Sequence, residues 1–144
     1  MSLNRSQREK STLVILLFGV LCVASMIVVL IVWGIPAQVS RQYGPPADTI
    51  GVEQRILYAI QLITSEKELL YPVSPNGKEK DFRIGMGESV DSVALRLEND
   101  GLVSSAVAFR TYLIYTGLDT RLQAGDYKLS PAMTPIQIGQ KFLD

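Results

Sequence analysis

One uninterrupted apolar segment near the N-terminus constrains this chain more than any other feature. Residues 12–35 contain no charged residue and no proline and are rich in Leu, Ile and Val. As an α-helix, these 24 residues would exceed the roughly 30 Å hydrocarbon core of a bilayer, since each residue adds about 1.5 Å. A helix that is apolar on every face has no polar side to turn toward water, which argues against a core helix of a soluble domain. The segment is therefore predicted to span a membrane.

A cleaved signal peptide is the main alternative, because basic residues precede the apolar segment. The apolar part of a signal peptide is usually about 7–15 residues long, and Ile35-Pro36-Ala37 is a poor cleavage site. Lipoprotein processing at Cys22 is also disfavoured, because the bulky Leu21 stands where a small residue is needed. We interpret Cys22 as part of the span. As the only cysteine, it excludes an internal disulfide.

The charges that flank the span predict its orientation. Arg5, Arg8 and Lys10 precede it, whereas only Arg41 follows it closely. The positive-inside rule makes residues 1–11 a cytoplasmic tail and places the rest of the chain outside. The prediction is a single-pass protein of the cell membrane, with the lipid bilayer as its first partner.

Composition excludes several function classes. The chain carries 14 basic and 14 acidic residues, and the exterior part is slightly acidic because the tail is basic. No basic stripe interleaved with aromatic residues is present, so nucleic acid is not a predicted partner. The chain has no histidine and its exterior part has no cysteine. The usual zinc and Ser-His sites are therefore not available, and we predict neither a metal nor a cofactor.

Residues 36–81 are predicted to link the span to a folded module. Residues 42–46, Gln-Tyr-Gly-Pro-Pro, should be extended and stiff, because each proline disfavours helix at the residue before it. Residues 72–80 should form a loop that turns at Pro75-Asn76-Gly77.

Between these two stretches, residues 52–70 show a helical pattern. Ile56, Ile60 and Ile63 recur on one face, and Asp48 or Thr49 is near enough to cap the helix. The helix could lie on the outer leaflet or could be a spacer that packs on the module. Its charges do not form a basic amphipathic face, which favours the spacer.

Residues 82–144 are predicted to form a small α+β module in which two helices stand between two strands. Turn and capping residues stand at nearly every boundary of these elements. The elements are strand 82–84, a helix capped by Ser89 and stopped at Asn99-Asp100-Gly101, a helix capped by Ser104 or Ser105 and ended by Gly117, and strand 127–129.

A third helix should follow the second strand. Thr134, Pro135 and Gln137 match a helix start with a capping box. Ile138 and Phe142, four residues apart, should face the module. Because the sequence stops at Asp144 soon after this start, we expect the module to be truncated at its C-terminal end.

The module resembles the LysM-like subdomain of the YceG-like (MltG-type) endolytic murein transglycosylases over residues 82–143. The most specific string is Leu-Gln-Ala-Gly-Asp-Tyr-Lys-Leu-Ser-Pro-Ala-Met-Thr at residues 122–134, and Phe-Arg-Ile-Gly-Met-Gly-Glu-Ser at residues 82–89 agrees with it. The single N-terminal span also fits that family. The resemblance implies a membrane-anchored lyase that cleaves nascent glycan strands of peptidoglycan without a cofactor, and it makes these strands and cell-wall synthesis proteins the expected partners.

The family's catalytic glutamate lies in a further domain that this sequence does not include, so no residue here inherits that role. A glutamate that acts as an acid near neutral pH must be buried or must adjoin a like charge. The glutamates here lie in polar runs or at helix ends and read as solvated. Two hypotheses remain: the non-catalytic N-terminal part of a transglycosylase, or an autonomous membrane-anchored adaptor that binds peptidoglycan or a division-complex partner without enzymatic activity.

The resemblance also implies a shallow sugar-binding groove between the loop after the first strand and the loop before the second. The alternative is that these residues only close turns, with Gly85, Gly87, Gly117 and Gly125 at positive φ. The candidate glycan-binding residues are Gly87, Glu88, Ser89, Asp119, Thr120, Gln123 and Gly125.

The predicted orientation is testable with fusions. A reporter that is active only outside the cytoplasm, fused after Asp144, should be active because the tail charges keep the N-terminus inside. Activity of a cytoplasmic reporter at the same position, with the exterior reporter silent, would reverse the assigned orientation.

Overall fold

The computed structural model describes residues 3–143, with side chains from residue 10 onward. The predicted tail lies largely outside the described side chains, and Asp144 lies outside the described residues. The fold is a mixture of helices with one two-stranded antiparallel sheet, as predicted in outline. In chain order, the elements are α1 (Leu3–Val29), a π-helical turn (Leu30–Gly34), α2 (Ile35–Tyr43), α3 (Val52–Thr64), α4 (Glu66–Leu70), β1 (Lys80–Ile84), α5 (Val90–Asn99), α6 (Ala106–Thr116), a 3₁₀ turn (Asp119–Arg121), β2 (Gly125–Leu129) and α7 (Pro135–Lys141).

Helix α1, the π-helical turn and α2 form one continuous helical rod. From Lys10 to Tyr43 it is 34 residues long, with a mean hydropathy of 3.2 in its most apolar stretch. None of that stretch is buried against the rest of the protein. By length and composition, this helix can cross a membrane, and it is the one such helix among the described residues.

The rod continues through Pro36, where the sequence pattern ends the span. Proline lacks a backbone N–H and its ring collides with the carbonyl four residues earlier in an α-helix. The π-helical turn lies directly before Pro36, and the Ile35 N–H bonds to the Leu30 carbonyl across five residues. This wider turn relieves the clash by changing the local register, so the helix continues to Tyr43 without a break.

Helix α2 is anchored in the folded part of the protein. Val39 and Tyr43 are buried, and the Tyr43 ring centroid lies 6.3 Å from that of Tyr112. The Tyr43 hydroxyl donates to the Leu62 carbonyl at 3.4 Å. Tyr112, its ring partner, is buried in the core, and this burial raises the pKa of Tyr112 to about 12. Gln42 and Tyr43 are therefore helical rather than extended as predicted, because core packing extends α2 up to the Gly44-Pro45-Pro46 stretch.

The predicted helix over residues 52–70 divides at Ser65 into α3 and α4, and its N-cap is Gly51 rather than Asp48 or Thr49. Its core-facing residues also differ from the prediction. Ala59 and Leu62 are fully buried, whereas Ile60 and Ile63 are 42% and 37% exposed. Helix α3 packs against α2 and α6, and the small Ala59 side chain suits this close packing.

The local end signals predicted for α5, α6 and α7 are confirmed. Ser89, Ser105 and Thr134 each accept a hydrogen bond from a first-turn N–H through the side-chain oxygen. Gly117 ends α6 in the left-handed conformation, with φ at 72°. In the sheet, Lys80 to Ile84 pair in order with Leu129 to Gly125. Each strand therefore begins two residues earlier than predicted.

Phe142 lies at the centre of the core that joins sheet and helices. It is fully buried, as is Ile138, so the predicted direction of both side chains is confirmed. The Phe142 ring contacts Tyr127 at 4.9 Å, Phe82 at 6.2 Å and Phe109 at 6.4 Å between centroids. One side chain from the end of α7 thus contacts both strands and α6.

The loop over residues 71–79 is held against the segment that follows β2. The Ser130 hydroxyl donates to the Gly77 carbonyl at 2.6 Å, and the Ser74 N–H donates to the Pro131 carbonyl at 2.9 Å. A Cβ added to Gly77 would lie 2.7 to 2.9 Å from ring atoms of Pro131. Glycine is thus needed at position 77 for this close approach.

Gly77→Ala should therefore reduce the free energy of unfolding by about 1–3 kcal/mol, because the proline ring cannot move away without moving its backbone. Gly125→Ala is the matched control, since its Cβ would come no closer than 3.8 Å to Tyr127 and should cost little. Thermal unfolding of the full chain in detergent micelles, followed by circular dichroism, measures both changes. Equal melting temperatures for the two variants would contradict the assigned contact.

Candidate glycan-binding site

The two loops predicted to bind sugar lie at the same end of the sheet. Ile84 ends β1 opposite Gly125, which begins β2. The residues after β1 and those before β2 therefore leave the sheet side by side. The predicted proximity of the two loops follows directly from the antiparallel register.

Glu88 in the first loop makes a dense set of internal contacts. Its carboxylate accepts from the Gly85 N–H at 2.9 Å, from the Ser92 hydroxyl at 2.8 Å and from Arg96 at 2.7 Å. The bond from the Gly85 N–H, reinforced by the bonds from Arg96 and Ser92, lowers the pKa of Glu88. Glu88 thus fastens the turn to α5 as a carboxylate, and this is the opposite of what a general acid requires.

Arg96 extends this contact network to the sheet. Its second terminal nitrogen donates to the Arg83 carbonyl at 2.8 Å, and its guanidinium carbon lies 4.6 Å from the centroid of the Phe82 ring. A guanidinium over an aromatic face is attracted by the electron-rich face of the neutral ring, through its quadrupole. Glu88, Arg96 and Phe82 together connect the first loop, α5 and β1.

Two further predictions for these loops are confirmed, the turn role of Gly87 and the capping role of Ser89. The predicted positive φ of Gly85 and Gly125 is wrong. Gly87 has φ at 72°, in the left-handed region, as expected of a turn glycine. Ser89 uses its hydroxyl oxygen to cap α5. Gly85 and Gly125 do not have positive φ, contrary to prediction. Both adjoin the paired ends of the strands, where the backbone is extended.

In the second loop, Thr120 and Gln123 are occupied by internal bonds. The Thr120 hydroxyl donates to the Gly117 carbonyl at 3.2 Å. The Gln123 side-chain amide donates to the Leu143 carbonyl at 2.9 Å, and its backbone N–H donates to the Phe142 carbonyl. Asp119 is half-buried, and its carboxylate has no hydrogen bond or ion pair within the part of the chain that the structure describes. Of the predicted polar side chains, Asp119 is thus the one most available to a ligand.

An open groove of about 390 Å³ runs beside this site, along β2. It shares only Gln123 and Gly125 with the predicted residues. Two of its other lining residues were not predictable from the sequence pattern. Lys141 belongs to α7, which is distant along the chain, and the strand position of Tyr127 suggests a core residue, although its side chain is only half-buried. The groove is lined by Gln123, Ala124, Gly125, Asp126, Tyr127, Lys128 and Lys141.

The remaining glutamates with described side chains, and Asp91, are not placed as an acid–base pair. Asp91 forms an ion pair with Arg110. The glutamates other than Glu88 among the described side chains are exposed, as predicted: Glu53, Glu66, Glu68, Glu79 and Glu98. Within the part of the chain that the structure describes, no group of His, Cys, Asp or Glu side chains could hold a metal ion.

Comparison of the chain with protein-family models, with curated proteins and with solved structures gave no match.

The role assigned to Glu88 predicts a pH dependence of stability. Because the folded pKa lies below the unfolded one of about 4.3, the contact contributes fully above that pH and is lost as pH falls through the folded pKa. Glu88→Gln should lower the free energy of unfolding by about 1 kcal/mol at neutral pH and flatten its decline in acid.

Glu98→Gln, at the exposed end of the same helix, is the matched control. Chemical denaturation between neutral and acid pH compares the two variants with the parent chain. A steep acid decline that persists in Glu88→Gln would show that Glu88 is not the group responsible.

Proposed function

We propose that this chain is the membrane-anchored, non-catalytic N-terminal part of an endolytic murein transglycosylase. In this role, it holds a small folded module outside the membrane, next to the glycan strands on which the enzyme acts. The proposal rests on the resemblance carried by residues 82–143 and on the apolar N-terminal helix.

The observation that best supports this role is the continuity of the membrane-spanning candidate with the folded core. Val39 and Tyr43 bury one face of α2 in that core, and Ser40 bonds to the Tyr115 hydroxyl at 3.3 Å. A module attached in this way has a fixed height and orientation relative to the helix. Such an attachment suits a part that positions a catalytic domain close to the membrane.

The chemistry of the carboxylates agrees with a non-catalytic role for this part. Glycoside cleavage by a general acid needs a carboxyl that keeps its proton near neutral pH. Glu88, the most enclosed glutamate, has its pKa lowered, and the other described glutamates are exposed. Catalysis in the proposed enzyme belongs to a separate domain.

A second candidate function is an autonomous adaptor that binds peptidoglycan or a division-complex protein. The open groove along β2 favours it, because a groove lined by Gln123 and Gly125 offers a binding surface that needs no catalytic partner. Sequencing the coding region downstream separates the two functions. A second domain with an acidic catalytic motif supports the enzyme part, and its absence supports the adaptor.

The proposed non-catalytic role predicts that the purified full chain yields no anhydro-muramyl ends from uncrosslinked glycan strands, because the pKa of Glu88 is lowered and the other glutamates with described side chains are exposed. Product analysis by chromatography and mass spectrometry measures this. Product formation that disappears in a single Glu→Gln variant would overturn the non-catalytic assignment.

Glycan binding is tested separately by co-sedimentation with purified peptidoglycan. Asp119→Ala should reduce the bound fraction several-fold, since it removes the one half-buried candidate carboxylate without an internal partner among the described residues. Asp100→Ala is the matched control, because Asp100 lies at the opposite end of the sheet, where its carbonyl accepts from Lys80. Equal binding by both variants would place any glycan site elsewhere.

A further inference from the structure

Two hydrogen bonds from basic side chains show which backbone groups of the sheet point outward. Arg96 donates to the Arg83 carbonyl, and Lys141 donates to the Lys128 carbonyl at 2.6 Å. Both carbonyls therefore face away from the partner strand. Because an antiparallel ladder alternates, the pairs Asp81 with Lys128 and Arg83 with Asp126 turn their N–H and C=O groups to the two outer edges.

Each edge has one outward carbonyl that a basic side chain caps, and the two edges differ in how firmly that side chain is held. At β1, Arg96 caps the outward carbonyl and is itself held by Glu88 and by the Phe82 ring. At β2, the single cover among the described residues is the flexible Lys141 side chain, and the open groove runs along this edge. The other outward groups make no hydrogen bond within the described residues at either edge: Asp126 N–H and C=O and Lys128 N–H at β2, and Asp81 N–H and C=O and Arg83 N–H at β1. The firmly held Arg96 at β1, compared with the flexible Lys141 and the open groove at β2, makes β2 the more accessible edge. An uncovered edge of this kind is a template for another strand.

We propose that β2 pairs with β2 of a second copy of this chain, edge to edge and antiparallel, to form a four-stranded sheet across the dimer. The two-fold axis passes between the two Tyr127 residues. This register sets Asp126 of one copy directly opposite Lys128 of the other, and Lys128 opposite Asp126. Both residues have outward backbone groups, so each pair exchanges two N–H···O=C bonds.

The charges of the side chains favour this register over its neighbours, and they favour a second copy of this chain as the partner. Directly opposite residues of an antiparallel pair project from the same face, and opposite charges there are favourable. Asp126 and Lys128 each form an ion pair within the sheet, with Arg83 at 3.6 Å and with Asp81 at 3.2 Å, but they are 77% and 70% exposed. Because a carboxylate has two acceptor oxygens and an ammonium group has three donors, each can also contact a second partner. A shift of the register by one residue on each strand would place Asp126 opposite Asp126 or Lys128 opposite Lys128. The edge is therefore self-complementary in one register and repulsive in its neighbours.

Lys141 must release the Lys128 carbonyl before the second copy can bind. Its side chain is long and its ammonium group is at the protein surface, so this exchange replaces one bond with a backbone bond. Lys141 thus limits unintended pairing of the free edge, as lysines on edge strands commonly do.

The test uses the full chain in detergent micelles, with donor and acceptor fluorophores on C-terminal tags and energy transfer as the measure of association. Asp126→Lys alone and Lys128→Asp alone each place like charges opposite one another and should weaken self-association about tenfold. In a mixture of the two variants, one chain carries lysine at both positions and the other carries aspartate at both. Every facing pair across the two strands then has opposite charges again, so this mixture should associate as well as the parent chain.

The mixture also controls for damage to the fold, because two misfolded variants cannot restore each other, and circular dichroism confirms that each remains folded. Lys141→Ala should strengthen association, since it uncovers the edge. The proposal is overturned if the parent chain is monomeric, if the single variants associate as the parent does, or if the mixture fails to recover. Unchanged association in all variants would assign it to the apolar helix instead.

Discussion

The burial of Phe142 is the contact on which the folded part depends. Two strands of five residues are not stable alone in water and need a helical layer against one face. Phe142 provides the junction, because its ring meets an aromatic side chain from β1, from β2 and from α6. Without it, the sheet would lose the aromatic contact that joins both strands to α6.

Elements whose ends are set by local chemistry were predictable from the sequence. Ser89, Ser105, Thr134 and Gly117 act within three or four residues of themselves, so their roles can be read without knowledge of the fold. Features set by distant contacts were not predictable. The π-helical turn carries the helix past Pro36, and the end of α2 is held by the contact of Tyr43 with Tyr112, which lies far along the chain. The buried face of α3 is selected by α2 and α6 rather than by its isoleucines.

The same distinction explains the outcome at the candidate site. The register Ile84 to Gly125 brings the two predicted loops together, as the antiparallel pairing of β1 with β2 requires. Most of the predicted polar groups nevertheless serve the fold, because their partners come from elsewhere: Arg96 for Glu88, and Leu143 for Gln123. The sequence predicted where the two loops lie and which residues form their turns. It could not predict which polar side chains remain open to a ligand, because that depends on hydrogen-bond partners from distant parts of the chain.

The continuous helix from α1 to α2 couples the orientation of the folded part to the orientation of the apolar helix. Helices in bilayers tilt by about 20° on average, and the tilt changes with the thickness of the membrane. A flexible linker would absorb such a change, whereas a helix with Val39 and Tyr43 locked in the core transmits it. In a protein whose helix crosses a bilayer in this way, the thickness of the bilayer would set the angle at which the sheet and its groove face the surroundings.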